Sequence, residues 1–262
     1  MINLQIKTNK KMINHSLSPK KIFNLNLKDI FKGEKLKTKT KIILIIIGLI
    51  ILAGLIYSGM GSSDSTSGEV LANTSIGTVE KFVYGSENAP KTIALIAGIH
   101  PREPLSIEPE IKAAEEFAND DVKVIVYKVT VTDRPTDYNG GRANGESLVH
   151  DYVNPDVTKS DAEAVIISHS HMAGYGQGFY LATPEMDDAS VKIATDINKT
   201  SDFNYYPVTG NESYKSTSAV LVSKPIAQAG YPTFVYEIPE DITNQTSTDK
   251  AIELFNLISK YI

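Results

Sequence analysis

The stretch "IALIAGIHPREPLS", Ile93 to Ser106, decides how the chain is read. An apolar run stops at Gly98, and His100 and Glu103 follow three residues apart, each immediately before a proline. Apolar residues without alternation, closed by glycine, are the pattern of a strand buried on both faces. Two ligand-type side chains just past such a strand have two readings. One is a capped turn, with Glu103 favourably placed at a helix N-terminus. The other is part of a metal site.

Working outward, "SIEPEIKAAEEFAND" places Ile107, Ile111, Ala114 and Phe117 at helical spacing. "VKVIVYKVTV" alternates and is rich in β-branched residues, so it predicts a strand. "PTDYNGGRANGESLVHDYVNP", Pro135 to Pro155, is dense in turn residues and predicts a long loop. "AEAVIISHS" and "PTFVYEIPE" predict two more buried strands, and "DASVKIATDINKT" and "STSAVLVSKPIAQAG", between them, predict helices. Strands alternating with helices give an α/β fold, a three-layer sandwich with a mixed, largely parallel sheet. Sites in such sheets form beyond the carboxyl ends of the strands. His100 and Glu103 follow the first strand, His169 and His171 end the third and Glu237 ends the fourth.

Composition narrows the chemistry. Cysteine is absent, so disulfides and thiolate metal sites are excluded and a metal must use His, Asp or Glu. Residues 1–41 carry eleven lysines against Asp29 and Glu34, about +9, which leaves about −14 of the net −5 on the remainder. An acidic main domain argues against a nucleic-acid partner. "IILIIIGLIILAGLIYSGM", Ile42 to Met60, has no charge in nineteen residues, enough to cross a bilayer core of roughly 30 Å. Lysines before it, at Lys35, Lys37, Lys39 and Lys41, predict a cytoplasmic N-terminus and an extracellular catalytic domain on a cell membrane. They also suit anionic lipid headgroups. The expected organisation is a basic tail (1–41), a transmembrane helix (42–60), a flexible linker (61–75) and a hydrolase domain (76–262). Four Asn-x-Ser/Thr triplets, at Asn73, Asn198, Asn211 and Asn244, permit glycosylation.

Four of the five histidines, His100, His150, His169 and His171, lie within seventy-two residues. Catalytic zinc takes three N or O ligands and keeps a fourth position open. A pair at i and i+3 with a distant histidine builds that set, and Glu237 could take a proton from the attacking water. Singly, each residue has an ordinary reading: a turn, two loop histidines, a surface acid.

The same residues carry a resemblance. "GIHPREPLS" resembles the first motif of the zinc carboxypeptidase family, Gly-Ile-His-x-Arg-Glu. The resemblance implies one zinc ion with His100 and Glu103 as ligands, and Arg102 as a substrate-facing arginine. "IISHSHMAGYG" resembles the strand end with the third ligand, usually followed by serine. That selects His169, and puts His171 where the animal enzymes have a substrate-contacting aromatic residue. "YPTFVYEIPE" resembles the strand of the catalytic glutamate, which falls on Glu237. "RANGESLVHDY" can be laid on the family's arginine, Asn-Gly and Asp-Leu-Asn-Arg-Asn-Phe. Arg142 then stabilises the oxyanion, while the Asn-Arg pair that grips a terminal carboxylate becomes Val149 and His150. A histidine, mostly neutral at pH 7, cannot make a bidentate fork to a carboxylate. Tyr214 and Tyr231 lie in the neighbourhood of the family's mobile tyrosine. The short domain is similar in compactness to the succinylglutamate desuccinylase and aspartoacylase branch. The expectation is a membrane-anchored zinc hydrolase of a peptide or amide bond, with cell-wall or envelope peptides as substrate. The alternatives are a deacylase of small N-acyl amino acids and a non-catalytic surface-binding module.

Overall fold

The computed structural model describes residues 68–207 and 216–262. The basic tail, the predicted transmembrane segment and Tyr214 lie outside the described residues. Among the described residues no helix is long and apolar enough to cross a membrane.

Among the described residues eight strands form one sheet: β1 (Glu69–Asn73), β2 (Gly77–Tyr84), β3 (Lys91–Ala97), β4 (Val122–Val131), β5 (Ala164–His171), β6 (Tyr180–Ala182), β7 (Asn204–Tyr205) and β8 (Thr233–Pro239). Their order is β1-β2-β4-β3-β5-β8-β6-β7. The four middle strands run parallel, β2 pairs antiparallel with β4, and β6 antiparallel with β8. The helices of the described residues are α1 (Glu108–Phe117), α2 (Tyr138–Leu148), α3 (Asn154–Val157), α4 (Asp188–Thr200), α5 (Lys224–Gln228) and α6 (Asn244–Ile258). A π-helical turn, Val149–Val153, joins α2 to α3, and another, Ala219–Ser223, leads into α5.

The middle strands are apolar on both sides because both sides are covered. Ile93, Leu95, Val124, Val126, Ile166, Phe234 and Tyr236 pack under α1, α4 and α6. Ala94, Ile96, Ile125, Tyr127, Val165 and Ile167 pack under Leu148, Val149, Val153, Val222 and Ile226. This is the expected three-layer sandwich.

Connectivity then fixes where a site can form. From β3 the chain crosses through α1 to β4 on one side, and returns through α2 to β5 on the other side of β3. The strand order reverses between β3 and β5, and their carboxyl ends open a crevice there. His100 and His169 lie at its two lips.

Two expectations are corrected. Strand β1 falls inside the segment read as linker (61–75), pairing with β2 and burying Ala72 in the second core. Its polar surroundings hid a five-residue edge strand. The predicted loop from Pro135 to Pro155 is largely helix α2 and the π-helical turn. Asp137 caps α2 by accepting a hydrogen bond from the Gly140 amide. The glycines that signalled turns are there for close approach: a Cβ on Gly145 would stand 1.7 Å from the Ile99 carbonyl oxygen.

Candidate metal centre

Strand β3 ends at Gly98, whose φ of +86° turns the chain through a conformation that suits glycine, and where a Cβ would meet the Val129 carbonyl at 2.1 Å. The turn delivers His100 to the crevice at 2 % exposure. Glu103 follows on the same turn, its amide bonded to the His100 carbonyl. His169 arrives from β5, directly paired with Glu237 of β8.

The three side chains meet through defined atoms. Nδ1 of His100 lies 2.8 Å from Glu103 Oε1, and Nδ1 of His169 lies 3.0 Å from Glu103 Oε2. The imidazole rings are 4.4 Å apart, and one ligand atom from each residue falls within 4.8 Å of the others. Both outer nitrogens are also engaged. Nε2 of His100 is 3.3 Å from Glu146 Oε1, and Nε2 of His169 is 3.4 Å from Ser218 Oγ. Metal-bound histidines need such partners, since an acceptor on one nitrogen fixes the tautomer that presents the other's lone pair. Two nitrogens, a carboxylate and this outer support fit a zinc-type ion.

The electrostatics follow from crowding unlike groups. Burial works against the Glu103 carboxylate, yet His169 and His100 outweigh it and hold the group well below the usual carboxylate range. Burial also disfavours a charged His100, but Glu103 and Glu146 raise its pKa overall. Glu237 is different. Burial pushes it up to about 7; His169 and Arg142 pull it down, and Glu103 adds to the rise. A carboxyl held near neutrality beside a ligand set is suited to proton transfer at neutral pH.

Arg142, on α2, places Nη1 at 3.0 Å from His100 Nδ1 and 3.2 Å from Glu103 Oε1. Arg102 is exposed, and its guanidinium and that of Arg142 lie 5.8 and 5.4 Å from the centroid of the Tyr138 ring. The remaining sequence candidates are not gathered with the donor set. His150 is exposed, with Nδ1 facing the Leu221 carbonyl at 3.1 Å, and Val149 is 0 % exposed in the core. His171 has both ring nitrogens against backbone carbonyls, those of Met172 at 3.1 Å and Gly178 at 3.0 Å. Tyr231 donates its hydroxyl to the Ser160 carbonyl at 3.2 Å. Glu146 and Ser218 went unnoticed in the sequence. The signal for Glu146 was its place one turn beyond Arg142, which is meaningful only once the stretch is a helix.

No protein-family profile matches the chain, and no curated protein sequence matches it. Solved structures do. A metallo-carboxypeptidase from Burkholderia cenocepacia superposes with a TM-score of 0.50 at 14 % identity, over 80 % of this chain and 67 % of its own. The fold is that of the metallo-carboxypeptidases. A Burkholderia mallei ATCC 23344 protein assigned as a carboxypeptidase gives a TM-score of 0.51 at 13 % identity, over 74 % of this chain and 62 % of its own. This metallo-carboxypeptidase fold thus spans about two thirds of the length of those two structures. Within it the donor set occupies the carboxyl ends of the central strands, as the strand order requires.

Proposed function

We propose that the protein is a zinc-dependent hydrolase of a peptide or amide bond. The observation that carries this is the meeting of His100, Glu103 and His169 beside a Glu237 whose pKa is raised to about 7. His100 and His169 would hold the ion through Nδ1 and Glu103 through its carboxylate. Zinc bound there supplies Lewis acidity, lowering the pKa of water toward 7 and polarising a carbonyl. Glu237 accepts the proton of the attacking water and passes it to the leaving nitrogen. Arg142, with a guanidinium N–H aimed at the same point, stabilises the negative charge that develops on the scissile carbonyl oxygen. Arg102, beside Arg142 on the rim, attracts an acidic part of the substrate.

The bond we assign is internal or amide-linked rather than one next to a free carboxyl terminus. Val149 is in the core and His150 faces a backbone carbonyl, so neither provides a cationic grip. The apolar segment Ile42 to Met60, preceded by lysines, supports anchoring in a cell membrane with the catalytic domain outside. Envelope or cell-wall peptides are then the substrates within reach.

The test is elemental analysis of the purified chain and of His100→Ala, with hydrolysis of paired peptides that carry a free or an amidated C-terminus. One equivalent of zinc, lost in the variant, with the amidated peptide cut at least as well, is expected. Less than about a tenth of an equivalent in the unaltered protein would end the metal reading.

A further inference from the structure

Both candidate ligand histidines are supported from behind, and the two supports meet on one dipeptide. Ser218 Oγ lies 3.4 Å from Nε2 of His169, on the side away from Glu103. Nε2 of His100 faces Glu146 Oε1 at 3.3 Å, and Thr217 lines the same pocket wall as Glu146, where its hydroxyl favours the charged carboxylate. The dipeptide is itself held. The Leu221 carbonyl, one helical turn on, accepts from Asn154 Nδ2 at 2.9 Å and faces His150 Nδ1 at 3.1 Å. Thr217 and Leu221 also wall a pocket of about 320 Å³ with Asn139, Arg142, Ala143 and Glu146 of α2.

The chemistry of imidazole gives these contacts a consequence. A neutral histidine offers one lone pair, and the nitrogen that keeps the proton must donate it. An acceptor at Nε2 leaves Nδ1 free to ligate. Hydroxyl and carboxylate groups behind the rings therefore set tautomer and ring angle for the ligand atoms in front. We propose that Thr217 and Ser218 are positioning residues for the metal centre, Ser218 acting directly on His169 and Thr217 acting on His100 through Glu146. Thr217 borders the pocket together with Glu146 and Arg142, so metal site and pocket share a wall. His150 then has a structural role, since it pins the Leu221 carbonyl that holds the wall in place.

The inference rests on the metal-site reading above, and its test separates the two. Zinc dissociation constants are measured by competition with a chromophoric chelator for the full chain, Ser218→Ala, Thr217→Val, Thr217→Ser and Glu146→Gln. Urea midpoints in excess chelator report the metal-free fold. Ser218→Ala and Thr217→Val should each weaken zinc binding by about 10- to 100-fold with the metal-free midpoint unchanged. Thr217→Ser, which keeps the hydroxyl, should bind as the unaltered chain does. Thr217→Val should add nothing in a Glu146→Gln background, because Thr217 acts through that carboxylate. If the unaltered chain binds zinc and both Ser218→Ala and Thr217→Val bind it equally well, the positioning role is wrong while the metal site stands. An unaltered chain that binds no zinc overturns both. A drop in midpoint without a change in zinc affinity would show a packing role only, and would also overturn the proposal.

Discussion

Glu110 should make the stability of this protein fall as pH rises, and Glu110→Gln should remove that dependence. The residue sits on α1 at 0 % exposure. Its Oε1 accepts the Ser247 hydroxyl at 3.3 Å, while Oε2 has no hydrogen-bond partner among the described residues. Burial pushes its pKa from 4.5 up to about 8, against lowering pulls from the Ser247 and Ser168 hydroxyls. The folded protein therefore keeps this proton to about pH 8, whereas the unfolded chain releases it near pH 4.5. Between those values folding takes up a proton, so the contribution is fully present below pH 4.5 and is lost as pH rises through 8. At about 1.4 kcal/mol per pH unit, the loss is about 3 kcal/mol by pH 7 and about 5 kcal/mol once pH passes 8. Glutamine keeps the shape and has no proton to release. Urea unfolding of both proteins from pH 4.5 to 8.5, with the difference taken at each pH, cancels every other titrating group. The variant should gain about 3 kcal/mol on the unaltered protein between pH 4.5 and 7. Two curves that stay parallel within about 1 kcal/mol would refute the reading that Glu110 is folded as a neutral acid.

Three further outcomes follow from the site and its scaffold. Glu237→Gln should retain zinc by elemental analysis while kcat falls by about 10²- to 10⁴-fold, the usual weight of a positioned base. Equal turnover would remove Glu237 from the mechanism. Gly145→Ala must push α2 off the Ile99 carbonyl, which its Cβ would approach to 1.7 Å. It should cost about 1–3 kcal/mol in urea unfolding and weaken zinc binding together, since the same contact presses Glu146 against His100. Asp137→Ala loses the cap of α2, and a Tm measurement should show a loss of about 1 kcal/mol.

The legible part of the sequence was the part whose pattern has one cause. Strands β3, β5 and β8 read correctly because helices cover them on both sides, which leaves mostly apolar residues and their glycine or polar ends, and β4 read correctly from its alternation and β-branched residues. His100, Glu103 and His169, which the structure brings together there, stood out as candidates for the same reason, since strand ends and crossover order define the crevice. Short elements at the sheet's margin were not. β1 and β7 have five and two residues, too few for alternation to stand out. The stretch from Pro135 to Pro155 misled because glycine has two uses. At a turn it supplies a positive φ; at Gly145 it admits a neighbouring backbone. A single sequence does not distinguish them, as both leave only the absence of a side chain.

That ambiguity bears directly on the site, because α2 does three things a loop could not do together. Arg142 and Glu146 are four residues apart on one helical face, so the helix alone sends both toward His100. One contacts its inner nitrogen and the other its outer nitrogen. Placing a cation and a carboxylate on opposite sides of one imidazole requires a rigid spacing, and the Gly145 contact with Ile99 fixes how deep that face sits. The π-helical turn after Leu148 then carries Val149 into the core and His150 out to the Leu221 carbonyl. Both residues at this point are thus engaged in structure: Val149 packs and His150 faces the carbonyl of the wall that backs His169. One helical turn therefore does two things: it seats Val149 in the core and turns His150 to the Leu221 carbonyl, so neither side chain is free to offer a cation beside the gathered His100, Glu103 and His169.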